Sequence, residues 1–186
     1  MSRAALFFAG ALVSLAFALA VACGRSTPRD DAAFDVETMA YLSEARALHH
    51  QAGIREDEGD LPGAIGAMTR LTSATRPHPE RKVPEVEEVL ADAFARRAEL
   101  ELRAGNMDGA MSSVREGLLH AEGQTFFRGH LLEVEGLVEK ARAASFQDAG
   151  KNDEAKAARE RAIRRLDEAV KIQEAVVNAS LDGGAR

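Results

Sequence analysis

One short phrase occurs three times in the chain, at residues 59–64, 105–110 and 150–155, where it reads GDLPGA, GNMDGA and GKNDEA. The phrases start 46 and then 45 residues apart. In each phrase a glycine can end a helix in the left-handed conformation. The Asp or Asn behind it can accept hydrogen bonds from the free N–H groups that open the next helix. A fixed period with a turn in each unit is typical of a helical repeat array. The phrase therefore predicts three helix–turn–helix units.

The amino-acid composition also favours helices. Ala, Glu, Arg and Leu are common, while aromatic residues make up only 5% of the chain, and such residues lose little rotamer freedom in a helix. A length of 186 residues allows one main domain or two small ones. The formal net charge of −6 leaves no basic excess to neutralise phosphate groups, which argues against a nucleic-acid partner.

Residues 1–22 have the pattern of a secretory signal peptide. A positive start at Arg3 is followed by an apolar run, and small residues precede Cys23, the single cysteine. This ending resembles the lipobox of bacterial lipoproteins, which implies that Cys23 is acylated and becomes the first residue of the mature chain. The alternative is an uncleaved anchor helix, because 19 residues lie near the lower limit of about 17–25 for crossing a bilayer. Gly24 behind the cysteine implies the outer membrane, by analogy with other Gram-negative lipoproteins.

Residues 23–34 are predicted to be the acylated cysteine and a polar tether, residues 35–179 a helical domain, and residues 180–186 a disordered tail. Within the domain, apolar residues recur at 3-4 spacing in six segments. The first helix is expected to bury one stripe, formed by Met39, Leu42, Ala45, His49 and Ala52. Helices are expected over 35–58, from 61, from 84, from 107, from 127 and over 153–179, which gives three antiparallel hairpins.

The small and apolar positions of each hairpin are similar to those of a tetratricopeptide repeat. That motif has a small residue in its first helix, Gly at the end of that helix, Ala early in the second helix, and two further buried positions. The matching residues are Ala52, Gly59, Ala64, Met68 and Leu71; Ala98, Gly105, Ala110, Val114 and Gly117; and Ala143, Gly150, Ala155, Arg159 and Ala162. The resemblance implies an all-α fold with the hairpins stacked as a short right-handed array. The period is longer than the ~34 residues of this family and lies in the range of HEAT-type repeats, and the alternative fold is a six-helix bundle.

The resemblance also implies a binding surface. In tetratricopeptide arrays the first helix of each hairpin lines a concave face that binds other proteins. Carried over to this chain, the main positions on that face are Arg46, His49, Asp92, Glu99, Arg103 and Lys140, and the others are Gly53, Glu56, Asp57, Ala95, Leu102, Leu137, Ala144, Gln147 and Asp148. Their mixed charge favours a peptide or helix with a mixed pattern of its own, because such charges steer and select partners.

Features of catalytic and metal sites are missing from the sequence. No Gly-rich phosphate loop follows a strand, and no Gly-x-Ser-x-Gly motif occurs. His49 and His50 are adjacent on a helix and point about 100° apart, which is wrong for chelating one ion. His130 and Glu133 are three residues apart, but they lack a His-Glu-x-x-His pattern. We therefore expect no enzyme activity, no cofactor and no metal.

These features together predict a membrane-anchored periplasmic lipoprotein. Its expected function is that of a protein–protein interaction module or scaffold in an envelope assembly, bound to the membrane through Cys23. Its expected partner is another envelope protein or a peptide segment. The alternatives are a structural envelope subunit that self-associates, and a ligand-binding partner of a transporter.

Overall fold

The computed structural model describes residues 35–183, which fold into six α-helices without any strand. The helices are α1 (Val36–Asp57), α2 (Leu61–Thr72), α3 (Pro84–Arg103), α4 (Met107–Leu118), α5 (Phe126–Asp148) and α6 (Asn152–Gly183). The predicted all-α class is confirmed. None of these helices is long and apolar enough to cross a membrane. The predictions for residues 1–34, with Cys23 among them, and for residues 184–186 lie outside the described residues.

The repeated phrase forms the same turn three times, between α1 and α2, α3 and α4, and α5 and α6. In the first turn the N–H of Gly59 donates to the carbonyl of Glu56, and the N–H of Asp60 donates to the carbonyl of Arg55. The same two bonds recur behind Gly105 and Gly150, and the three glycines have φ values of 79°, 81° and 70°. This is the Schellman ending of a helix, which needs a left-handed residue at the position of the glycine.

The first two turns share a helix cap that the third lacks. The side chain of Asp60 accepts from the N–H of Gly63 at 2.9 Å, and that of Asn106 accepts from the N–H of Gly109 at 3.0 Å. A Cβ atom at Gly63 would lie 2.0 Å from Asp60 Oδ2, so the second glycine of the first two phrases, Gly63 and Gly109, makes room for the cap. The third turn has Lys151 in the capping position, and a lysine side chain has no acceptor.

The three hairpins are hairpin 1 (α1 and α2), hairpin 2 (α3 and α4) and hairpin 3 (α5 and α6). Each first helix after α1 packs against both helices of the hairpin before it, so that α3 contacts α1 and α2, and α5 contacts α3 and α4. Within residues 36–183, neither helix of hairpin 1 contacts hairpin 3. Contacts limited to neighbouring units are those of a stacked hairpin array.

Small residues allow the paired helices to approach closely. Ala64, Ala110 and Ala155 occupy the same position in the three phrases, and all three are fully buried. Helix axes that lie about 8–10 Å apart leave room for Ala at such contacts. The small positions of the predicted motif are therefore buried where the second helix of each hairpin begins.

The buried stripe of α1 differs from the prediction. Ala45 and Ala52 are buried as expected, but Tyr41 and Leu48 are buried in place of Leu42 and His49, and Met39 is 47% exposed. Apolar residues lie on several sides of α1, so two stripes of equal 3-4 spacing were available. The stripe that carries the larger Tyr41 and Leu48 side chains removes more apolar surface from water.

The last helix also runs further than predicted. α6 continues past Ala179 to Gly183 and has 32 residues, whereas α2 and α4 have 12 each. Ser180 supports this last turn, because its hydroxyl donates to the carbonyl of Val177 at 2.7 Å. Hairpin 3 therefore ends in a helix more than twice as long as its counterparts.

Candidate interaction surface

Seven ionisable side chains form a connected group of five (Glu56, Arg96, Glu99, Arg103 and His130) and a neighbouring pair (His49 and Asp92) across the first helices of the three hairpins. We call this set the charged seam. It starts on α1, crosses α3 and ends on α5, and it consists of His49, Glu56, Asp92, Arg96, Glu99, Arg103 and His130.

The part of the charged seam between hairpins 1 and 2 centres on one glutamate. Glu56 of α1 accepts hydrogen bonds from both Arg96 and Arg103 of α3, and its side chain is only 15% exposed. On the same pair of helices, Nε2 of His49 lies 3.7 Å from Oδ2 of Asp92. Two ion pairs and this histidine–carboxylate contact therefore bridge α1 and α3.

The part between hairpins 2 and 3 is built on a second glutamate. Nη1 of Arg96 donates to Oε2 of Glu99 at 3.1 Å, and Oε1 of Glu99 lies 3.1 Å from Nε2 of His130 on α5. Arg96 thus contacts Glu56 on one side and Glu99 on the other, and it links the two parts of the seam.

The two histidines of the seam have pKa values that shift in opposite directions. The hydrogen bond to Glu99 raises the pKa of His130, and the same bond lowers the pKa of Glu99. Burial lowers the pKa of His49, and the nearby Asp92 offsets this only in part. Nδ1 of His130 is buried without a hydrogen-bond partner; this opposes protonation of the ring, but the contact with Glu99 is the stronger influence.

Four of the six main predicted positions lie in the charged seam, namely His49, Asp92, Glu99 and Arg103. The other two, Arg46 and Lys140, are exposed and form no ion pair with another residue in 35–183. The seam adds Arg96 and His130, which the repeat positions did not include. The i,i+3 spacing of Arg96 and Glu99 could have predicted that Arg96 pairs with Glu99. No feature of the sequence near His130 predicted its contact with Glu99.

The predicted positions of hairpin 3 form an open surface beyond the seam. Leu137, Ala144, Gln147 and Asp148 are all exposed, like Lys140. Gln147 accepts a hydrogen bond from Arg159 at 2.6 Å, and that contact is exposed as well. The face is therefore internally paired over hairpins 1 and 2 and open over hairpin 3.

A second polar cluster lies where α3 begins and α4 has ended. Glu87 is largely buried, and it contacts Nδ1 of His120 at 2.7 Å and Nη1 of Arg76 at 3.3 Å. The ring of His120 stacks on Phe94 with centroids 5.6 Å apart. A cavity of about 240 Å³ adjoins this cluster and is lined also by Ala91. Because both carboxylate oxygens of Glu87 are bonded, the cluster ties hairpin 2 to the loop before α3.

No arrangement typical of a metal site occurs among the described residues. No group of three or more His, Cys, Asp or Glu side chains within 35–183 is placed to hold an ion. His130 contacts Glu99 on a neighbouring helix rather than pairing with Glu133 of its own helix. This contact makes the ring part of the charged seam.

No known protein family, no curated protein and no solved structure matches the chain.

Proposed function

We propose that this protein is a membrane-anchored interaction module of the cell envelope, and that the first helices of its hairpins bind a protein or peptide of mixed charge. The observation that carries the proposal is the alignment of α1, α3 and α5, which brings charged side chains from three hairpins together in one charged seam. Arg46 and Lys140 are further exposed cations at predicted positions on these helices.

The pairing within the seam suits a recognition surface. Ion pairs between neighbouring helices hold long side chains in fixed rotamers, which lowers the entropy cost of binding a partner. Glu99 and His130 keep 30% and 24% of their side chains exposed, so both side chains form part of the surface. Charges arranged in this way select a complementary partner more than they increase affinity.

The membrane anchor is a separate part of the proposal. The signal pattern and the lipobox-like ending support acylation of Cys23 and a position on the periplasmic side of the envelope, at the outer membrane. Cys23→Ser should abolish incorporation of a labelled fatty acid and block processing of the chain. Ser26→Ala, a change in the same segment, should leave both unchanged. Labelling of the Cys23→Ser variant at the normal level would exclude the lipoprotein assignment.

Charge reversal on the exposed face tests partner binding. We expect Arg46→Glu combined with Lys140→Glu to weaken partner capture at least several-fold in an envelope crosslinking experiment in the native host. A matched control reverses Arg70 and Arg115, which are also exposed but lie on the second helices α2 and α4. Both double variants should keep the wild-type melting midpoint, since exposed substitutions usually change stability by less than about 0.5 kcal/mol. Equal capture by the two variants would place the binding surface elsewhere.

A further inference from the structure

The second half of α6 has no counterpart in hairpin 2. The repeat spacing of 45 residues aligns Ile163 with Leu118, the last residue of α4, whereas α6 continues to Gly183. Among the described helices, only α5 packs along α6. The second half of α6 is therefore the part of hairpin 3 whose surface the repeat pattern does not explain.

Two glycines bring α5 close to this part of α6. A Cβ atom at Gly136 would lie 2.8 Å from Cγ of Leu166. One at Gly129 would lie 2.7 Å from Nε2 of Gln173, and that nitrogen also donates to the backbone carbonyl of Phe126 at 3.3 Å. Because Gly129 and Gly136 are seven residues apart, they lie on one side of α5. The two helices therefore meet along a line of glycines.

An open groove of about 670 Å³ runs between the two helices beside this line. We call it the α5/α6 groove, and its main lining residues are Glu133, Leu166, Val170, Gln173, Glu174 and Val177. On α6 the residues Ile163, Val170 and Val177 follow one another at intervals of seven, and they are 59%, 55% and 54% exposed. Residues spaced by seven lie on one side of a helix. The groove therefore has an apolar wall on α6 that the described residues leave exposed.

The other wall of the groove, on α5, continues the apolar surface. Phe126 lies seven residues before Glu133 and Leu137 lies four residues after it, so all three share one side of α5. Phe126 and Leu137 are both exposed. The stripe from Ile163 to Val177 is about 21 Å long at 1.5 Å per residue. An apolar groove of this length between two helices fits the apolar side of a third helix.

A line of carboxylates runs beside the apolar wall of α6. Glu160, Asp167 and Glu174 are exposed, and they too are spaced by seven residues. On the opposite wall, Glu133 is exposed as well. None of these four side chains forms a hydrogen bond or an ion pair with another residue in 35–183. The α5/α6 groove therefore has unpaired negative charge on both walls.

This charge argues against a second copy of the chain in the groove. A symmetric contact pairs a surface with itself, so Glu133 and Glu174 would meet like charges. Arg164 and Lys171 lie about 100–120° around α6 from Val170, on the far side of the carboxylate line, and so outside such a contact. An anionic lipid surface would be repelled by the same carboxylates.

We propose that the α5/α6 groove binds a basic amphipathic helix of another protein. The apolar residues of that helix, spaced at i, i+3 or i+4, and i+7, pack against Ile163, Val170 and Val177. Its Lys or Arg residues pair with Asp167 and Glu174. The apolar contact removes surface from water and provides affinity, while the carboxylates select a basic partner. This binding does not depend on partner capture by the charged seam, which uses other residues.

A tryptophan in the groove can report on its occupant, because the chain contains none of its own. The full chain with Val170→Trp is placed in vesicles of zwitterionic phospholipid and titrated with designed helical peptides. The basic peptide has about 18 residues, enough to cover the stripe, with Leu at i, i+3, i+4 and i+7 spacing and Lys on the other sides. The acidic peptide has Glu in place of each Lys. The basic peptide should shift the tryptophan emission to shorter wavelength, and the acidic one should bind about tenfold more weakly or not at all.

An exchange of charge at the rim gives the decisive comparison. In the reporter chain, Asp167→Lys combined with Glu174→Lys should reverse the preference, so that the acidic peptide binds more tightly than the basic one. The matched control is Glu58→Lys combined with Glu116→Lys, which makes the same change in net charge at exposed, unpaired carboxylates of the described hairpins 1 and 2. The control should keep the original preference for the basic peptide.

A second pair of variants tests the apolar wall. Val177→Arg in the reporter chain should weaken binding of the basic peptide about tenfold, because it places a charge in the apolar contact. Ala179→Arg adds the same charge at an exposed position on the opposite side of α6 from Val170, and it should not weaken binding. All substituted positions are exposed, so an unchanged helical spectrum and melting midpoint should show that each variant folds.

Several results would overturn the proposal. Equal binding of the two peptides, or binding of neither, would mean that the groove does not take a basic helix. An unchanged preference after the charge exchange would mean that Asp167 and Glu174 do not select the partner. Emission that is shifted without peptide and depends on the ratio of chain to lipid would identify a second copy as the occupant. Quenching of the tryptophan by brominated lipid would identify the membrane surface instead.

Discussion

The two junctions between hairpins use the same pair of residue types in opposite order. Between hairpins 1 and 2 the histidine, His49, lies on the preceding hairpin and the carboxylate, Asp92, on the following one, 3.7 Å away. Between hairpins 2 and 3 the carboxylate, Glu99, comes first and His130 follows at 3.1 Å. Helix α3 therefore supplies a carboxylate to both junctions, which makes it the helix on which the two polar contacts depend.

The apolar parts of the two junctions differ in how they fill space. The first junction buries large side chains such as Leu48, Met68 and Leu90 in one cluster. The second packs Leu131 against Ala91 and Ala95. A Cβ atom at Gly117 would lie only 2.6 Å from a methyl carbon of Leu131. Thus one repeat design accommodates both large side chains and a close backbone approach.

The largest expected effects on stability come from substitutions that remove these apolar contacts. Leu90→Ala at the first junction and Leu131→Ala at the second should each lower the free energy of unfolding by about 2–5 kcal/mol, because each removes a fully buried side chain and leaves a cavity. Since hairpins 1 and 3 do not touch, Leu131→Ala should raise amide hydrogen exchange mainly in α5 and α6. Leu90→Ala should raise it mainly in α1 and α2.

Hydrogen exchange thereby shows whether the junctions act independently. If either variant raises exchange equally in all six helices, the array unfolds as one unit, and the difference between its junctions has no consequence for local opening. A change of less than about 1 kcal/mol in both variants would contradict the packing itself.

Charge reversal should have a smaller effect on stability, and this effect should differ between two exposed arginines that were both predicted to lie on the binding face. Arg103→Glu puts a carboxylate beside Glu56, which is 15% exposed, and should lower the free energy of unfolding by about 1 kcal/mol. Arg46→Glu should leave it unchanged, because Arg46 forms no ion pair with another described residue. Chemical denaturation of the two variants compares them directly. Equal stability of both would mean that Glu56 is held well enough by Arg96 alone.

The turns could be predicted from sequence because the interactions that form them are local. A glycine that ends a helix, an Asp or Asn behind it and an Ala four to five residues further on act within one turn, and Gly59, Gly105 and Gly150 all have the expected left-handed conformation. Which side of α1 is buried could not be predicted from local interactions. Its apolar residues surround the helix, and the packing of Tyr41 and Leu48 against other helices decided which side is buried.

The charged seam could be predicted only in part for a similar reason. A position in the repeat is fixed by the register within one hairpin. The repeat positions therefore identified Glu56, Asp92 and Glu99. The partners depend on how neighbouring hairpins align, so the contact of His130 with a residue 31 positions earlier was not visible in the sequence.

The smallest expected effect is a change of stability with pH, which has opposite signs at the two junctions. Glu99 raises the pKa of His130 in the folded chain, above the value of about 6.5 of an unfolded chain. The contribution of His130 to stability is therefore fully present below pH 6.5 and is lost as the pH rises through the raised pKa. Burial lowers the pKa of His49. Its contribution is therefore present above pH 6.5 and is lost as the pH falls through the lowered pKa.

Two single variants test this opposition between pH 8 and pH 5.5. Relative to the wild type, His130→Gln should lose more stability at pH 5.5 than at pH 8, and Glu99→Gln should reproduce that trend because it removes the group that raises the pKa. His49→Gln should show the reverse trend, since it removes a ring that resists protonation. Each difference should be about a few tenths of a kcal/mol, the size of a partly exposed ion pair, measured by denaturant unfolding at the two pH values. Trends of the same sign for His49→Gln and His130→Gln would mean that the order of histidine and carboxylate does not distinguish the two junctions.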